Sequence, residues 1–165
     1  MLVIGEPLCV YKESILAANA KPLRDTCRLL PMPLSEGLLF HWKDVDREGK
    51  YAHQIAELTK LHDLVTEAMP TLYTPFDRLF AAARGKLDFC VGGLARYRLA
   101  KLLCAGKKEA DGVLLIHSNE ENAALITTTI ADACRSEIAL PVCTASLDFD
   151  HSLSAEEAAT FVHYL

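Results

Sequence analysis

Apolar residues fall in short blocks along the chain, and their spacing alternates between strand-like runs and helical steps. Leu2-Val3-Ile4-Gly5 is a brief β-like run, which residues 8–11 either extend or follow. Across residues 19–29 the apolar positions Leu23, Cys27 and Leu30 keep a helical step, and Pro22 is tolerable in a first turn. Residues 29–32, apolar and set among prolines, predict a short strand, and residues 35–42 a short helix. The charged stretch 44–50 predicts a surface loop. The longest helical pattern covers 51–69, where Ala52, Ile55, Leu58, His62 and Val65 recur at three and four residues. Pro70 ends it. Residues 71–75 predict a turn and 76–83 another helix.

The second half is more regular. Residues 87–91 predict a strand, Gly92-Gly93 a turn and 94–103 a helix. A buried strand at 112–116 leads to a helix over 119–135, and a strand at 141–146 to a closing helix at 155–164. Strand, turn, helix, three times over, implies parallel pairing with helical crossovers. The expected architecture is one α/β domain over residues 1–165. It is a three-layer sandwich around a mostly parallel sheet of four or five strands, Rossmann-like or flavodoxin-like. Two S-x-x-E boxes, Ser118 to Glu121 and Ser154 to Glu157, predict capped helix starts.

Composition narrows the function classes. The 165 residues are 51% hydrophobic and 24% charged, which excludes a disordered or fibrous chain. A net charge of −5 excludes the broad basic face that nucleic acid requires, and offers nothing to an anionic membrane. No apolar run approaches the roughly 18 residues of a membrane span. The opening MLVIGEPLCVYKE lacks the basic and long apolar regions of a secretion signal. A cytoplasmic domain is expected. Cys9, Cys27, Cys90, Cys104, Cys134 and Cys143 are isolated, without metal-ligand spacing, and read as small hydrophobes in a reducing compartment.

In an open parallel sheet the ligand crevice lies beyond the C-terminal strand ends. Those ends fall near Glu6, residues 91–93, residues 117–119 and residues 146–151. The expected ligand-binding residues are Gly92, Gly93, His117, Ser118 and Asn119. The glycines would let a helix N-terminus approach an anion, and His117 stands where a general acid, base or ligand would be. Tight βα turns also use glycine for sterics alone, and a loop histidine also serves backbone or water. Asp148, Asp150 and His151 form a D-x-D-H cluster, read as a solvated turn or a site for a hard cation. His53 and His62 do not share a helix face. Neither a nucleophile elbow, a Walker loop nor a complete dinucleotide fingerprint is present. No catalytic residue and no metal ligand is assigned.

Several short motifs in order carry a resemblance. They are Val3-Ile4-Gly5-Glu6-Pro7, Asn19 before a helix, Leu30-Pro31-Met32-Pro33-Leu34-Ser35-Glu36 and Val91-Gly92. Ala110-Asp111-Gly112-Val113-Leu114, Leu140-Pro141-Val142 and Asp148-Phe149-Asp150-His151 complete the set. The sequence resembles the C-terminal domain of the 2-hydroxyacyl-CoA dehydratase D-component family, which includes benzoyl-CoA reductase subunits. The resemblance implies an α/β fold, an acyl-CoA ligand and an iron–sulfur cluster held by a cysteine after the Asp-Gly-Val strand. Here that ligand position falls on Glu121, expected as the third residue of a capped helix. A carboxylate there is a poor substitute for a soft thiolate.

Two functions follow. One is a stand-alone module without the cluster cysteine, binding a small anionic or acyl-CoA-like molecule, or serving as an accessory subunit. The other is an iron–sulfur-dependent dehydratase or reductase subunit, active only in assembly with other chains, with Cys9, Cys90 or Cys143 as ligand. No cofactor is expected for the chain alone, and a cluster only if partner chains share it. A homo- or hetero-oligomer fits the hydrophobic content. Whether the chain is an enzyme stays open.

Overall fold

Leu2, Val3 and Ile4, like Val113, Leu114, Leu115 and Ile116, are buried whichever way they alternate. That is the pattern of strands covered on both faces. In the computed structural model, which describes residues 1–12, 15–16, 20–68, 70–88, 94–118, 121–147 and 153–165, they form two central strands. Strands β1 (Leu2–Gly5), β2 (Leu30–Pro31), β3 (Val113–Ser118) and β4 (Val142–Leu147) make one sheet in the order β2-β1-β3-β4. Every pairing is parallel, with Leu2 opposite Leu30 and Val113, and Val113 opposite Val142. The α-helices with described bounds are α1 (Pro7–Tyr11), α2 (Lys21–Arg24), α3 (Leu34–Val45), α4 (Ala52–Ala68), α5 (Phe76–Ala83), α6 (Ala95–Cys104), α7 (Asn122–Ala133) and α8 (Ala155–His163).

Side-chain alternation divides the core in two. Leu2, Ile4, Val113 and Leu115 face one way, against Phe40 of α3, Leu79 and Ala83 of α5, and Tyr97 and Ala100 of α6. Val3, Leu114 and Ile116 face the other way, against Cys9 and Val10 of α1, Leu23 of α2 and Ala158 of α8. Helices therefore cover both faces of a four-stranded parallel sheet, the three-layer α/β sandwich expected. At the end of β1 the central strands press so close that a Cβ on Gly5 would lie 1.9 Å from the Ile116 carbonyl oxygen. Only glycine fits there.

A polar knot pins the first layer. Glu36 is fully buried, and one of its carboxylate oxygens accepts from the Thr74 N–H at 2.8 Å, the other from the Tyr97 hydroxyl at 2.9 Å. The Lys101 Nζ lies 2.9 Å from Glu36 and also donates to the Thr74 hydroxyl (2.8 Å) and the Leu72 carbonyl (2.5 Å). All three ammonium protons have acceptors, so the buried charge is compensated.

Several expectations are corrected. Residues 8–11 are helical, because Pro7 opens a helix without needing an N–H partner. The helix expected over 19–29 spans only Lys21–Arg24; Leu30 is drawn into the sheet, its N–H donating to the Met1 carbonyl at 2.9 Å. Helix α3 runs on to Val45, into the expected loop. Of the strand expected at 87–91, Leu87 and Asp88 are not in strand; Leu87 packs on Ala95 and Leu99, and residues 89–91 lie outside the described residues. Helix α4 has its expected length but a different inner face. Ile55, Thr59, His62 and Thr66 turn inward, while Leu58, Leu61, Leu64 and Val65 are exposed. Among the described residues no helix is long and apolar enough to cross a membrane.

Candidate functional site

The chain leaves β1 toward β2 on one side and later returns to β3 on the other. The two connections diverge above β1 and β3, so the crevice of this sheet opens at those C-terminal ends. Glu6, the first residue beyond β1, is anchored there by its N–H, which donates to the Ile116 carbonyl at 3.1 Å. One Glu6 carboxylate oxygen accepts from the Ser118 hydroxyl at 2.9 Å and lies 3.5 Å from the Cys9 Sγ. Ser118 ends β3 and Cys9 sits in α1. Three elements thus meet on one carboxylate.

Above them stands an ion pair. Arg98, on α6 and almost wholly buried, donates from Nη2 to a Glu121 carboxylate oxygen at 2.5 Å. Its Nε and Nη1 are buried without a hydrogen-bond partner among the described residues, and so is the second oxygen of Glu121. Burying N–H groups unpaired is costly, and most proteins avoid it. The pair therefore has unspent capacity: N–H groups for an acceptor, and a carboxylate oxygen for a donor. With Glu6, the described residues of the crevice supply two carboxylates and one guanidinium.

Electrostatics decides the state of the thiol. Burial first, then the Glu6 charge and hydrogen bond, then Glu121, push the Cys9 thiol up to about 12, with Arg98 opposing only weakly. At neutral pH Cys9 is a protonated donor and a poor nucleophile.

The expected site residues separate. Ser118 is brought into the crevice. His117, by alternation along β3, turns to the other face of the sheet, the one α6 covers, and its Nδ1 lies 3.2 Å from the neighbouring Ser118 carbonyl. Gly92, Gly93 and Asn119 lie outside the described residues, as do Cys90 and the D-x-D-H cluster at 148–151. The expected capping box at Ser118 does not form. Ser118 belongs to the strand and Glu121 is the N-cap of α7 without a side-chain cap, its carboxylate turned instead to Arg98.

Arg98 itself was not foreseen. Its trace in the sequence is a helix, Ala95–Cys104, in which three cations, Arg96, Arg98 and Lys101, interrupt apolar residues without forming a separate polar face; Arg98 and Lys101 are both buried.

The residue at the cluster-ligand position is not one suited to iron–sulfur binding. Where the resemblance calls for a thiolate stands a carboxylate already bound to a guanidinium, and Cys90 lies outside the described residues. Among the described residues no group of three or more His, Cys, Asp or Glu could hold a metal ion. Comparison with protein-family models, with curated proteins and with solved structures finds no match for this chain.

Proposed function

We propose that the chain is a non-catalytic small-ligand-binding module, related in design to the C-terminal domain of the 2-hydroxyacyl-CoA dehydratase D-components. Its ligand is a small anionic or acyl-thioester molecule seated at the ends of β1 and β3. The observation that carries this reading is the buried Arg98 with two unpartnered nitrogens beside the chain-reversal crevice. A ligand carboxylate or carbonyl oxygen satisfies Arg98, and a ligand hydroxyl or amine satisfies the spare oxygen of Glu121 or Glu6. The high pKa of Cys9 weighs against a nucleophilic role for this thiol, which is protonated at neutral pH.

Thermal unfolding in the presence of succinate, acetyl-CoA or ATP tests the proposal. A ligand at a hundred times its dissociation constant stabilises the fold by about 2.7 kcal/mol. One of these classes should raise the melting temperature, and Arg98→Gln should abolish the rise while circular dichroism shows the fold retained. Ser118→Ala, a milder change in the same crevice, should weaken it. An unchanged melting temperature with all three would defeat the proposal, and a stoichiometric iron–sulfur cluster in protein purified without oxygen would replace it with the catalytic one.

A further inference from the structure

On the face of the sheet that carries α1 and α2, beside the edge strand β2, lies a cavity of about 450 Å³, separate from the strand-end crevice. Its wall is largely aliphatic, built from Val10, Leu16, Leu29 and Pro31, with the half-buried thiol of Cys27 among them. The Tyr11 hydroxyl is committed to the Met32 carbonyl, so its ring adds carbon surface rather than a free donor. Two exposed arginines, Arg24 and Arg28, also line it, and none of the described lining residues is acidic. The Arg28 guanidinium has neither an ion pair nor a hydrogen bond among the described residues; only its backbone carbonyl is engaged, accepting from the Met1 nitrogen at 2.8 Å.

An apolar wall with a free guanidinium beside it selects for a molecule divided the same way. The volume is within the range of about 300–1,000 Å³ usual for small-ligand sites. Among the described residues the wall lacks the directed polar groups that a base or a sugar would require, whereas an alkyl chain needs only carbon contact. We propose that this cavity binds a medium-chain aliphatic carboxylate, its chain against Val10, Leu16 and Leu29 and its head group on Arg28. The site is independent of the Arg98 crevice.

Calorimetric titration of the full chain with hexanoate, octanoate, decanoate and 1-octanol tests this. Affinity should rise about three- to fourfold per methylene until the cavity is full. Octanoate should bind about tenfold more tightly than octanol, and Arg28→Gln should erase that advantage without changing octanol binding. Bound octanoate should also shield Cys27 from iodoacetamide, and Ser118→Ala in the other crevice should leave all of this unaltered. Absence of octanoate binding, equal affinity for acid and alcohol, or full binding by Arg28→Gln would overturn the proposal. So would Cys27 labelling that octanoate does not slow, or binding that Ser118→Ala abolishes.

Discussion

Arg98 and Glu121 are a pair in which each side chain is needed mainly because the other is there. Taking one buried charge away leaves the other uncompensated, which costs about 3–5 kcal/mol, whereas replacing both by apolar residues is often neutral or favourable. Arg98→Met is therefore expected to lower the urea midpoint sharply, and Arg98→Met with Glu121→Leu to recover most of the loss. Two independent, additive effects in that cycle would mean the two residues do not act as a unit. Cys9 yields a pH prediction. Its ordinary value is 9.0 and the folded value about 12, so between these only the unfolded chain readily releases the proton. The contribution is complete below pH 9 and is lost as pH rises toward 12. Melting temperature should fall over that interval, and Cys9→Ser should flatten the fall. Tyr97, its hydroxyl raised by burial and by Glu36, adds to the decline at still higher pH.

At the scale of elements, two identical sequence boxes behave differently. At α8 the Ser154 hydroxyl accepts from the Glu157 N–H at 3.1 Å and the Glu157 carboxylate accepts from the Ser154 N–H at 3.0 Å. Ser154→Ala should cost about 1 kcal/mol, and amide exchange should speed up in the first turn of α8. Ser118→Ala should leave exchange in the first turn of α7 unchanged, because Ser118 is committed to Glu6. The S-x-x-E spacing is a local signal and succeeds where the box is solvent-facing. It failed at β3 because the sheet extends strand pairing through His117 and Ser118, opposite Ser146 and Leu147. For the same reason α5 was legible to the residue: Pro75 and its own amphipathic step define it without help from distant parts of the chain.

Across the whole molecule, packing chooses which side of an amphipathic helix is inside. Along α4 the fully buried residue is His62, its ring 5.2 Å from that of Tyr73 and 5.5 Å from that of Phe76, with Nδ1 3.0 Å from the Ser35 hydroxyl. Leu61 and Leu64 are more than 60% exposed. Leu61→Lys and Leu64→Lys are thus expected to shift stability by no more than about 0.5 kcal/mol, as measured by urea unfolding. Losses of several kcal/mol would place these leucines in a core. The sequence pattern ran an apolar stripe through Leu58 and Val65 because period alone counts hydrophobic residues. It cannot register that Thr59 and Thr66 are half-buried while leucines remain outside.

What the sequence determined by itself was what depends on neighbours within a few residues. The central strands, most helix spans, the parallel α/β class and the capped start of α8 follow from alternation, period and local hydrogen bonding. The placement of Ser118 just past an unmistakable apolar run was legible in the sequence. The tertiary structure decided what rests on groups far apart in the chain. It joined Glu6 to Ser118 across 112 positions, turned Glu121 from a helix cap into the partner of Arg98, sent His117 to the opposite face and raised the Cys9 thiol. Charge interactions and burial act through space, and a crevice between strands that are neighbours only in the sheet has no counterpart in linear order.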